Sequence, residues 1–187
     1  VPPNPPADAS IKGMFGPVVD WPLIAVHGVL TSDGRVLTYG TNGDGQQTGN
    51  FIYDVWNPAD GSHMTAPNGT GVDIFCSSQL LLQSGNSIVI SGGDNWIPNG
   101  NGGGTNNQPN DRTTVYDVSQ RTLSPGSLMN RKRWYSTSTM LLNGEIYVQG
   151  GTGGTDFPEI RAGNGSYRLL TSAGTGAYDF MYPRNFI

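Results

Sequence analysis

Short apolar runs of four to six residues alternate along the chain with stretches rich in Gly, Asn and Pro, and almost nowhere do apolar residues recur at helical spacing. Val, Ile and Tyr are frequent in these runs, which favours strands. Three segments align with one another: VHGVLTSDGRVLTYGTNG (26–43), FCSSQLLLQSGNSIVISGGD (75–94) and WYSTSTMLLNGEIYVQGGTG (134–153). Each is an apolar run, a turn holding Gly34, Gly85 or Gly144, a second apolar run and a trailing glycine, and each predicts a β-hairpin. The turn glycines supply the positive φ that tight hairpins demand, while Gly40, Gly92 with Gly93, and Gly150 with Gly151 stop the second strand.

The spacing between turns is 51 residues (34 to 85) and then 59 (85 to 144). After the first two hairpins come loops rich in Asn, Gly and Gln (TNGDGQQTGN, DNWIPNGNGGGTNNQPND), then a third run ending in Tyr-Asp, FIYDVWNPADG at 51–61 and TTVYDVSQRT at 113–122. That gives three or four strands per repeat. The chain is therefore expected to be all-β, a kelch-type β-propeller, because a period near 50 with a Gly-Gly hairpin and an outer Tyr-Asp strand fits such blades. A β-sandwich is the alternative, but sandwiches lack an internal period. The expected blades are 22–67, 70–128 and 132–178, with 179–187 starting another at YPRNFI. Three blades do not close a ring, so the chain reads as the N-terminal part of a propeller, expected to have seven blades.

Composition narrows the function. Gly and Pro make up 41 of 187 residues, roughly a fifth, just under the share expected of a disordered low-complexity chain. Charged residues are 13% and the formal net charge is −4, without a basic run to neutralise phosphates or hold an anionic membrane. Neither a nucleic acid nor a membrane is expected as a partner. No stretch approaches a membrane span, and VPPNPPADAS lacks the parts of a signal peptide, so an exported protein would start here after cleavage. GNGGGTNN (100–107) lacks the Lys-Ser or Lys-Thr and the following helix of a phosphate cradle. Asn68-Gly-Thr and Asn164-Gly-Ser fit the N-glycosylation pattern.

One cysteine, Cys76, excludes an internal disulfide, and two histidines, His27 and His63, without a Cys or acidic cluster match no common zinc signature. Cys76 opens the second hairpin and Tyr135 sits at nearly the same place in the third. In a propeller the first strand of each blade lines the central channel, which would set the two side chains near each other at one end of it. Read singly, Cys76 is a buried inert thiol and Tyr135 a packing residue. His27 reads as a core or channel-lining residue and His63 as a loop residue.

The words DIFCSSQLLLQSGNSIVISGGD (73–94) and RKRWYSTSTMLLNGEIYVQGG (131–151) resemble the copper radical oxidases, the galactose oxidase and glyoxal oxidase family. The resemblance runs from about His27 to Ile187, and Arg133-Trp134-Tyr135 with Cys76-Ser77-Ser78 is closer to the glyoxal oxidase branch. It implies a thioether between Cys76 and the ring of Tyr135, formed with copper and oxygen, with Tyr135 as catalytic residue and copper ligand. It further implies oxidation of a small aldehyde or alcohol with O2 to give hydrogen peroxide, outside the cell or in a periplasm. The family's histidine ligands and axial tyrosine occur in later blades, so residues beyond 187 would be needed to complete the site; neither His27 nor His63 matches them. The tryptophan that galactose oxidase stacks on its cross-linked ring is replaced by Gly153, which favours small aldehydes over hexoses. Trp134 could shield the radical or pack between blades. Two other functions stay open: a non-catalytic kelch propeller that binds a protein, and one that binds carbohydrate through loop aromatics such as Trp56 and Trp96.

Overall fold

A computed structural model describes residues 4–45, 52–94, 97–98, 105–154, 156–176 and 181–187. Trp96 and most of the GNGGGTNN run lie outside the described residues. The first sheet consists of β1 (Leu23–Leu30), β2 (Val36–Asn42), β3 (Ile52–Trp56) and β4 (His63–Pro67), in that order. The second holds β5 (Ser78–Leu81) and β6 (Ser87–Ser91); a two-stranded ribbon, β7 (Ile97–Pro98) with β8 (Thr105–Asn106), follows before β9 (Thr113–Asp117) and β10 (Thr122–Pro125) complete it. The third is β11 (Thr137–Met140), β12 (Ile146–Gln149), β13 (Glu159–Arg161) and β14 (Tyr167–Leu169). All neighbouring strands are antiparallel, so the chain forms three successive four-stranded meanders in a propeller-like arrangement. A single helical turn, α1 (Ala9–Lys12), is the described exception to the all-β reading.

Each aligned segment is a hairpin: Leu30 pairs with Val36, Leu81 with Ile88 and Met140 with Ile146. Gly34, Gly85 and Gly144 take φ of 79°, 74° and 82° in the connecting turns. The fourth, outer strands are short and largely exposed, which hid them from apolar patterning. His63, expected in a loop, opens β4 instead. There its Nδ1 lies 2.6 Å from Oδ2 of the buried Asp54, whose Oδ1 accepts a 2.9 Å bond from Thr65. Its ring meets Trp21 edge-on.

The apolar core lies between the sheets. Leu37, Tyr39, Tyr53 and Val55 of the first sheet pack with Ile88, Ile90 and Tyr116 of the second, and Val89 of the second packs with Ile146 and Val148 of the third. β6 and β12 end directly before Gly92 and Gly150, as expected, whereas Gly40 lies inside β2; the paired glycines also serve a second purpose. A Cβ on Gly92 would lie 2.1 Å from the Arg133 carbonyl oxygen, and one on Gly93 would lie 2.4 Å from that of Asp73. One on Gly151 would lie 2.7 Å from the Trp134 carbonyl oxygen and 3.1 Å from the Tyr135 carbonyl carbon. These glycines thus leave room for the segments that lead into the second and third sheets, and those segments carry Cys76 and Tyr135. Residues 181–187 form no strand, in contrast to the expected opening strand of a further blade.

Candidate active site

Cys76 and Tyr135 each stand just before the first strand of a sheet, β5 and β11. Each is nine residues before its turn glycine (76 to 85, 135 to 144), so the two positions correspond without any offset. Both take a left-handed backbone conformation, φ 57° and 67°, and so does Tyr182 at 47°. For residues with a Cβ this costs about 1–2 kcal/mol each, so neighbouring contacts must hold it.

Backbone hydrogen bonds do so. Tyr135 N–H donates to the Cys76 carbonyl at 2.9 Å, and Tyr182 N–H donates to the Tyr135 carbonyl at 2.7 Å. Cys76 N–H donates instead to a side chain, Nε2 of His27, at 3.1 Å. The three residues therefore form one connected series stepping from sheet to sheet, begun by His27 of β1.

The side chains converge as well. The buried Cys76 thiol interacts with the phenol groups of both Tyr135 and Tyr182. Tyr135 and Tyr182 meet edge to face with ring centroids 5.2 Å apart. On another side Trp134 lies over Tyr135, centroids 4.4 Å apart and planes tilted by 34°. The indole N–H of Trp134 is buried without an oxygen or nitrogen acceptor and lies beside the Cys76 sulfur.

Arg133 anchors this segment from beneath. Its fully buried guanidinium donates to the carbonyls of Gly150, Gly154 and Phe157, and pairs with the equally buried Glu159 at 3.1 Å. Burial draws the Arg133 pKa down from its ordinary value, while Glu159 opposes that. The carboxylate of Glu159 also accepts the backbone N–H groups of Asn130 and Arg131, so both ends of the ion pair are hydrogen-bonded.

The charge states at the centre favour neutral groups. Burial raises the Cys76 thiol above its usual value, against smaller opposing contributions from the phenols of Tyr135 and Tyr182. Burial first, and the neighbouring thiol second, push Tyr135 up to about 12, and Tyr182 is raised by burial and the same thiol. A neutral thiol against neutral phenols is a poor nucleophile until it loses its proton.

No family model matches the chain. Among curated proteins, two galactose oxidase sequences from Gibberella zeae, one of them from strain PH-1, are each 26% identical to it over 147 residues, covering 75% of this chain. The chain is thus similar in sequence to galactose oxidase over three quarters of its length. It spans about one fifth, 19%, of the length of those relatives. A solved structure, a fungal alcohol oxidase of the AA5 family in complex with copper, superposes with a TM-score of 0.65 at 22% identity, over 82% of this chain and 31% of its own. That likeness speaks for the fold.

The two residues singled out in the sequence are thus brought together, and Tyr182, to which sequence reasoning attached no role, joins them. His27 is buried at the same spot and lines a polar recess of about 360 Å³ with Ser77, Ser78, Gln79, Ser136 and Tyr182. His63 is held in β4 by its own partners. Among the described residues no three His, Cys, Asp or Glu side chains converge as metal ligands. Asn68, one of the two glycosylation-pattern residues, is buried, and its side-chain amide donates to the Val72 carbonyl. Asn164 is exposed.

Proposed function

We propose that this chain carries the radical-forming part of a copper radical oxidase, with Cys76 Sγ joined to the Tyr135 ring carbon beside the hydroxyl. The observation that supports it most is the meeting of thiol and phenol from two corresponding left-handed turns. Forming the bond removes the thiol hydrogen and one ring hydrogen. Two electrons and two protons pass to O2, which leaves as hydrogen peroxide. The sulfur then donates density to the phenol and spreads an unpaired electron, so the Tyr135 radical forms at a lower potential and lasts longer.

Copper would supply the second oxidising equivalent beside that phenol. Tyr135 fits as one of its ligands, being a partly exposed phenol whose proton, held by burial, binding of a metal would release. The histidine ligands and the axial tyrosine would come from the rest of a seven-bladed kelch propeller of which 22–67, 70–128 and 132–178 are blades. The reaction served is oxidation of a small aldehyde or alcohol by O2, in a secreted or periplasmic protein.

The glyoxal oxidase branch is favoured over the galactose oxidase pattern by where the covering ring originates. A Cβ at Gly153 (φ +89°) would lie 2.8 Å from the Lys132 carbonyl oxygen and 3.0 Å from Pro109, so a tryptophan does not fit there. Trp134, directly before Tyr135, covers the ring instead. An aldehyde hydrate needs less room and fewer polar contacts than a hexose.

Peptide mapping of the copper-exposed, full-length protein tests the reading. The expected result is a Cys76 peptide joined to the Tyr135 peptide, lighter by two hydrogens and resistant to reductant. Separate peptides with an alkylatable Cys76, after copper and oxygen, overturn it and leave a binding propeller.

A further inference from the structure

The series of left-handed residues has an irregular first member. Tyr135 and Tyr182 each donate their N–H to the carbonyl of the preceding member, but Cys76 has no such predecessor in the first sheet. Its N–H goes to the Nε2 of His27, 49 positions earlier in the chain. A histidine nitrogen accepts only when it carries no proton, so the ring must be neutral with its hydrogen on Nδ1. Burial favours that form, since it lowers the His27 pKa to about 4.

The ring is itself fixed. It stacks on Tyr39, centroids 4.8 Å apart and planes within 20°. The Tyr39 hydroxyl is tied to Ser77 Oγ at 2.9 Å and donates to Gln79 Oε1 at 3.0 Å, so the support beneath His27 is bonded to two residues of the strand entry that Cys76 begins. β1 and β2 thereby grip the start of β5. The Cys76 carbonyl, in turn, is held by Tyr135 N–H.

We propose that His27 is the positioning residue for Cys76: its Nε2 holds the Cys76 N–H, and with it the left-handed turn that aims the thiol at Tyr135. For the thioether this rests on the oxidase reading above; for the conformation of Cys76 it stands alone. The ring and the acceptor are separable by substitution. His27→Phe keeps an aromatic ring on Tyr39 and removes the acceptor, whereas His27→Gln keeps an acceptor oxygen and removes the ring.

The test compares wild-type, His27→Phe and His27→Gln full-length proteins by two measurements. The first is hydrogen exchange at the Cys76 amide without copper. His27→Phe is expected to exchange at least tenfold faster there than wild type, with Gly92 and Tyr116 amides unchanged, and His27→Gln to lie within about threefold of wild type. The second is the rate at which the two-hydrogen mass loss develops on adding copper under air. It is expected to fall at least tenfold in His27→Phe and to be largely restored in His27→Gln. Unchanged Cys76 exchange in His27→Phe overturns the proposal, as does a His27→Gln protein as impaired as His27→Phe. If wild type never loses the two hydrogens, the oxidase reading has failed, and the exchange measurement alone still decides the role of His27.

Discussion

Tyr135 donates its backbone N–H to the carbonyl of Cys76 at 2.9 Å while its phenol meets the thiol of the same residue. Main chain and side chain thus join the same two residues across two sheets. The backbone link does not depend on any reaction between the side chains. It sets the approach in advance, leaving the thiol and phenol little freedom to lose on reacting.

Cys76→Gly separates the cost of that backbone from its use. Glycine adopts φ near 57° without a Cβ penalty, so the change removes about 1–2 kcal/mol of strain. It also deletes a small buried side chain, worth about 1 kcal/mol. The two nearly cancel, and the denaturation midpoint is expected to move little. The joined peptide, by contrast, is expected to disappear completely.

Arg133→Met tests the anchor. Glu159 would be left buried with its backbone donors but without its counter-charge. Removing one partner of such a pair costs about 3–5 kcal/mol. Chemical denaturation is expected to show a loss of that size, much larger than for Arg131→Met, whose ion pair with Asp156 is partly exposed. Equal losses would mean that burial of Arg133 is unimportant.

The hairpins around this site were legible because their turn glycines and apolar runs encode both strands locally. Corresponding places of Cys76 and Tyr135 followed from the repeat alone. The outer strands were harder to read: β4, β10 and β14 are short, lie at a sheet edge and turn only a few partly buried apolar side chains inward, such as Met64 and Ala66, Leu123 and Tyr167. Tyr182 was named as the start of a strand and given no role, since its place depends on a 2.7 Å bond to the Tyr135 carbonyl across 47 residues. The signal available was a third aromatic or thiol residue at the opening of a repeat. The reason for Gly-Gly was legible only in part, because the close approach of Arg133, Asp73 and Trp134 backbone is a tertiary fact.

Tyr182→Phe reads out the second phenol. Its hydroxyl, together with that of Tyr135, partly offsets the rise of the Cys76 thiol pKa. Without it the thiol should titrate at higher pH, and alkylation of Cys76 near pH 8.5 is expected to slow by roughly threefold. The ring itself remains against Tyr135, so the melting temperature should change little. Faster alkylation would instead show that the Tyr182 hydroxyl acts by covering the sulfur.

His27 makes a distinct contribution to acid sensitivity. Its pKa is about 4 in the folded chain, lowered by burial from an ordinary value of 6.5. Between those values the unfolded chain binds a proton that the folded chain does not, so stability falls as pH drops from 6.5 to 4 and then levels off. The size is at most about 3.5 kcal/mol, from 1.36 kcal/mol for each tenfold change in proton activity. The depressed carboxylates Asp33, Asp60, Asp117 and Asp156 act differently, because each already lies below 3.8 in the folded chain. Their stabilisation is complete above the unfolded carboxylate value and is lost as pH falls through the lower folded ones. Denaturation midpoints measured from pH 7 to pH 3 should therefore show two declines in wild type. The upper one should shrink in His27→Phe and the lower one should stay; an unchanged upper decline would assign it to another group.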